Sequence, residues 1–249
     1  MAKQAGILPI EGTIGNITFF KSKDGFMVRQ KGGISAEKIA HDPAFKRTRE
    51  NGAEFGRAGK AGKLLRAALR SLLVRTRDKR MVSRLTARFV KVIQEDQVNN
   101  RGLRNVIDGE AMLLQGFEFN KHANLSSTLY EPITPTIDRV NGLLKVEVPI
   151  FDPAKGLAIP PGATHFKIHA AGTEVDFENE VFVSDFKASA NLALNAPTPQ
   201  VTLTANVTPA STHPLILVVG IEFMQEVNGA KYPLNNGSFN AASIVKVDA

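Results

Sequence analysis

The tightest constraint on the fold lies beyond residue 130, where strand-sized apolar runs alternate with turn-forming clusters. Residues 143–150, 165–170, 181–188, 201–207, 215–226 and 244–247 are candidate strands. The stretches "FDPAKGLAIPPGAT", "NAPTPQ", "TPASTHP" and "NGAKYPLNNGS" separate them. Proline cannot donate to a central ladder and glycine accepts positive-φ turns, so such clusters end strands. Short strands with turn signals this frequent predict an antiparallel β-sandwich, of immunoglobulin or jelly-roll type. The Cys–Trp–Cys signature of a true immunoglobulin domain is missing, because the chain has neither residue.

The N-terminal end poses a different problem. In "GNITFFKSKDGFMVRQKGG", residues 15–33, two alternating stretches flank Asp24-Gly25, a pair suited to a positive-φ hairpin turn. Phe19 and Val28 fall on one face of this hairpin, and Phe20 and Met27 on the other. Phe26 adds a further aromatic, while Lys21, Lys23, Arg29 and Lys31 give a cationic rim. An isolated hairpin is marginal in water, so one apolar on both faces needs cover from its own chain or a neighbouring subunit. Gly12, Gly15, Gly32 and Gly33 bracket it as candidate hinges. Residues 1–33 are therefore read as a β-hairpin arm.

Residues 34–115 read as a basic helical region. Asp42-Pro43 is a good helix start, a capping side chain followed by proline in the first turn. Gly52, Gly56, Gly59 and Gly62 follow at helical spacing. Each costs a helix up to about 1 kcal/mol relative to alanine. Either another backbone approaches this stripe closely, or "NGAEFGRAGKAGK" is a loop between two shorter helices. Leu64, Leu65, Leu69, Leu72 and Leu73 mark one amphipathic helix, with Arg66 and Arg70 outside its stripe. A second helix over residues 78–97 would bury Val82, Leu85, Phe89, Val92 and Ile93. Arg80, Arg84, Arg88 and Lys91 would then share its outer face, in an antiparallel helical hairpin turning at Thr76-Arg77. The fold class expected is α+β: hairpin arm, helical hairpin, then a sandwich over residues 116–249.

Charge is segregated. Residues 1–105 hold 23 Lys/Arg against 9 Asp/Glu, and the rest hold 8 against 15. A basic half joined to an acidic one suits either a polyanion partner or head-to-tail association between copies. No apolar run is long enough for a membrane span, and the N-terminus lacks the apolar stretch of a secretory signal. The expectation is synthesis in the cytoplasm, with the final location open, a particle or extracellular assembly included.

The residues for chemistry are sparse. Without cysteine there is no disulfide, thiolate nucleophile or Cys-ligated zinc. "GRAGKAGKL" fails as a phosphate loop, since Arg57 and Leu64 stand where a glycine and a hydroxyl are needed. His165 and His169, four apart in a strand, lie about 13 Å from each other and cannot share one ion. Asp176, Glu178 and Glu180 suit a solvated turn better than a calcium loop. The reading is no enzyme, no cofactor and no evident small-molecule substrate.

The stretches "GTIGNITFFKSKDGFMVRQKGGIS", "DPAFKRTRENGAEFGRAGKAGKLLR" and "GFEFN" resemble a family of uncharacterised Bacteroidota proteins of similar length. The resemblance covers roughly residues 10 to 130. It implies the same order of basic N-terminal segment and β-rich C-terminal half, and no activity or cofactor. The expected function is a structural, self-assembling subunit of a filament, tube or phage-like particle. Phe19, Phe20, Phe26, Met27 and Val28 would be anchors, with Gly52, Gly56, Gly59 and Gly62 as a contact face. Arg66, Arg70, Arg80, Arg84, Arg88 and Lys91 would contact acidic protein surface or, in the alternative reading, package nucleic acid.

Overall fold

The structure, a computed structural model, describes residues 2–4, 9–30, 33–76 and 78–249, apart from the side chains of residues 235 and 236. Lys31, Gly32 and Arg77 lie outside the described residues. The chain divides into two compact units, Met1–Arg49 and Glu50–Ala249.

In the first unit β3 (Ile17–Ser22) and β4 (Gly25–Gln30) form the expected hairpin. Its register pairs Phe19 with Val28, Phe20 with Met27 and Lys21 with Phe26. Two very short strands, β1 (Ala2–Lys3) and β2 (Gly12–Ile14), widen the hairpin to a sheet of order β1-β4-β3-β2. Gly25 takes φ 105°, the backbone that the Asp-Gly pair was expected to supply. Helix α1 (Ala36–His41), capped by Ser35 Oγ, follows. The Asp42 carboxylate then accepts from the Ala44 amide and starts the 3-10 turn Pro43–Phe45.

The second unit is α+β, and its sheet pairings are antiparallel throughout. The glycine-rich stretch is helix and not loop: α2 runs unbroken from Lys46 to Ala68. After a break at Leu69 come α3 (Arg70–Thr76) and α4 (Met81–Gln94). Val82, expected inward on α4, is 43% exposed, because Met81 takes the inner position instead. A 3-10 turn (Ala111–Leu114) and the four-residue helix α5 (Leu125–Thr128) lead into the strands.

Strands β5 (Thr134–Asp138), β6 (Leu143–Val148) and β10 (Val201–Asn206) form a three-stranded sheet of order β10-β6-β5. A short helix α6 (Pro153–Gly156) separates β6 from the larger sheet. There β7 (His165–Asp176) pairs with β8 (Val181–Ala188) and β9 (Leu192–Ala193) on one side and β11 (Leu215–Val227) on the other. Beyond β11 lie β12 (Ala230–Pro233) and β13 (Ala241–Asp248).

The larger sheet is covered on both faces. Leu65, Leu72, Leu85 and Phe89 of the helices meet Val175, Ile216, Val218 and Ile244 on one side. Leu144, Val146, Leu203 and Ala205 of the small sheet meet Phe166, Ile168, Leu217 and Phe223 on the other. Double coverage explains why β11 reads as a near-continuous apolar run where a one-sided strand would alternate. Gly172 is required where the sheets approach: a Cβ there would stand 2.7 Å from the Ala205 Cβ. No helix among the described residues is long and apolar enough to cross a membrane.

Candidate assembly interface

Local alternation makes the N-terminal sheet, and the same alternation leaves it two apolar faces. One carries Ile14, Ile17, Phe19, Phe26 and Val28, the other Phe20 and Met27. None of these is buried: Phe19, Phe20, Phe26, Met27 and Val28 are half-buried, and Ile14 and Ile17 are exposed by 64% and 44%. Cations sit over the rings on each face, Lys21 5.5 Å from the Phe26 centroid and Arg29 5.4 Å from that of Phe20. Charge and aromatic surface are thus presented together.

The four helix glycines separate into two sets. Gly52, Gly56 and Gly59 have open space where a Cβ would stand. Gly62 does not share their face. It is buried, and its Cβ position lies 3.6 Å from the Phe89 ring. Gly62 therefore serves close packing of α2 on α4 within the unit, while the other three leave a bare strip of helix backbone.

The cations also divide. Arg84 is internal: it pairs with Asp78, donates to the carbonyls of Glu118 (2.7 Å) and Phe119 (3.3 Å), and lies 5.1 Å from the Phe117 centroid. Burial pushes the Asp78 carboxyl up, but the Lys121 amide and the Arg84 guanidinium outweigh it and hold it below its ordinary value. Arg66 is half-buried and donates from Nε to the Gly62 carbonyl at 3.0 Å. Arg70, Arg80 and Lys91 are exposed and Arg88 half-buried. Lys63, Arg66 and Arg70 line a cleft of about 370 Å³ floored by Leu73, Val74 and Met81, with no carboxylate among its lining residues.

One charged cluster escaped the sequence reading. Glu222, only 3% exposed, accepts from Arg75 Nη1 at 2.9 Å and lies 3.0 Å from His169 Nε2. Burial pushes the Glu222 carboxyl up, yet its bonds to His169 and Arg75 hold it below the usual range. His169 stacks on Phe186 at 5.3 Å. The only available signal was a lone acid inside the run "LILVVGIEFM". The adjoining cavity, about 440 Å³, is lined by Lys167, Lys231 and Asn240 and offers no hydroxyl nucleophile. The triad ties α3 to β7 and β11. Asp176 likewise serves its own turn, accepting from the Glu178 and Asn179 amides.

No family model, curated protein or solved structure matches this chain.

Proposed function

We propose that the protein is a structural subunit that assembles with copies of itself into a filament, tube or phage-like particle. The observation that carries this reading is the N-terminal sheet, apolar on both faces and without a buried residue among those described. Such a sheet gains stability only when a face is covered, and a neighbouring copy would cover it by strand addition or side-chain docking. The exposed Arg70, Arg80 and Lys91 would meet the acidic second half of another copy, a heterologous contact that propagates. The strand order supports an immunoglobulin-like sandwich over a jelly roll. β5, β6 and β10 take the places of A, B and E, and β8, β7, β11 and β13 those of C′, C, F and G.

Deleting residues 1–33 should leave a folded monomer, because residues 50–249 contain both apolar cores. Light scattering and negative-stain microscopy would compare it with the full chain. A truncated protein that still assembles to full size overturns the reading. The carboxylate-free cleft of Lys63, Arg66 and Arg70 favours one second reading, a polyanion site. It requires retention on a nucleic-acid column that collapses between about 50 and 200 mM salt.

A further inference from the structure

A groove of about 610 Å³ opens on the second unit beside α5, β5 and β13. Residues 116–119 run alongside β13, the Gly116 amide donating to the Ile244 carbonyl and the Phe119 amide to that of Ala242, both at 2.8 Å. Alternation along this segment buries Phe117 and Phe119 in the helical core and turns Glu118 the other way, into the groove. Leu125, Leu129, Ile133 and Val245 supply an apolar lining. Tyr130, 59% exposed, and the half-buried Glu131 stand beside them.

Both carboxylates are short of positive charge. Glu118 accepts from the Leu125 amide at 2.9 Å and from the Ser243 hydroxyl, but burial holds its carboxyl above the ordinary value. The nearby Arg84 guanidinium is committed to Asp78 and two carbonyls. Glu131 has no hydrogen-bond or ion-pair partner among the described residues. An apolar groove with two acids outside any ion pair and an exposed aromatic ring fits a ligand that is apolar and cationic at once.

We propose that this groove is the socket for the β3–β4 hairpin of a second copy. That hairpin offers the complementary set, with Phe26 beside Lys21 on one face and Phe20 beside Arg29 on the other, none of them buried. The inference rests on the assembly reading and assigns it an acceptor. Each copy carries one hairpin and one groove, so the contact is head-to-tail and does not close on itself by necessity.

The test is a charge exchange in the full-length protein. Glu131→Lys should raise the concentration needed for assembly at least tenfold, and Lys21→Glu with Arg29→Glu should do the same. An equimolar mixture of the two variants should restore assembly, because the altered hairpin then meets the altered groove. Tyr130→Ala should weaken assembly in the same direction. All variants should keep the wild-type unfolding transition. Wild-type assembly by Glu131→Lys and Tyr130→Ala, or no restoration on mixing, overturns the socket. If deletion of residues 1–33 abolishes assembly while these groove variants do not, the socket falls and the assembly reading stands. If the deletion has no effect, both fall.

Discussion

The β3–β4 hairpin and the β7–β11 pair are both antiparallel and both rich in large apolar side chains, yet only one of them has an interior. Ten consecutive residues of β11, Leu215 to Met224, are buried, whereas no described residue of the hairpin is. The difference lies in layers. β11 has helices on one side and a second sheet on the other; no residue of the hairpin belongs to either apolar core. Pairing fixes which residues share a face, and coverage decides whether that face contributes stability.

The sharpest way to break this comparison is to remove one large side chain from each region. Phe223 is fully buried between the sheets, and Phe223→Ala should cost about 3–5 kcal/mol through lost transfer energy and the cavity left behind. Denaturant unfolding would measure it. A cost below about 1 kcal/mol would mean that the core between the sheets is no better packed than the hairpin.

A smaller effect is expected where the two sheets approach most closely. Gly172→Ala must push β7 away from Ala205 and Leu144, at a cost of about 1–3 kcal/mol. Asp96 provides a test of similar size with a pH signature. Burial pushes its carboxyl up, but bonds from Val98, Asn99 and Asn105 outweigh that and hold it at about 2. A folded value below the unfolded one means that its stabilisation is complete above the ordinary carboxylate range and is lost as pH falls through about 2. Asp96→Asn leaves two donors, the Asn99 side chain and the Asn105 amide, facing an NH₂ group. It should lower stability by about 1–3 kcal/mol at pH 7, and the gap from wild type should narrow as pH approaches 2.

Much of this contrast could be read from the chain. The Asp24-Gly25 turn, the hairpin's two apolar faces and residues 181–188 as a strand all follow from periods of two and from turn chemistry. β5 was missed because "TPTID" carries a proline and lies at a sheet edge, where alternation is weak. The glycine stretch stayed ambiguous because propensity cannot see the packing of Ala58, Ala61 and Leu65 that holds α2 together. Arg84 and Glu222 were out of reach for another reason. The carbonyls that Arg84 reaches lie 34 and 35 residues away and the partners of Glu222 lie 53 and 147, and no local period reports a contact of that separation.

Helix α2 allows a subtler comparison, within one element. Gly62 faces Phe89, while Gly56 faces nothing within 4 Å. Gly56→Ala should therefore stabilise the isolated subunit by up to about 1 kcal/mol, the helix propensity gain alone. If that strip of backbone docks against another copy, the same methyl group should impair assembly. Stability and assembly would then move in opposite directions, which no intramolecular role for Gly56 explains.

The smallest expected change in stability carries the largest consequence for assembly. Phe19 is half-buried, paired with Val28 in a sheet without an interior, so Phe19→Ser removes little that the subunit has gained by folding. Its main unfolding transition should shift by no more than about 0.5 kcal/mol, the range of ordinary surface substitutions. Assembly should nevertheless fail, because the face carrying Phe19 loses apolar area that only a partner would have covered. Thermal melts and light scattering on one sample read both quantities. A large drop in stability would give the sheet an intramolecular role, and the contrast with β11 would narrow to one of degree.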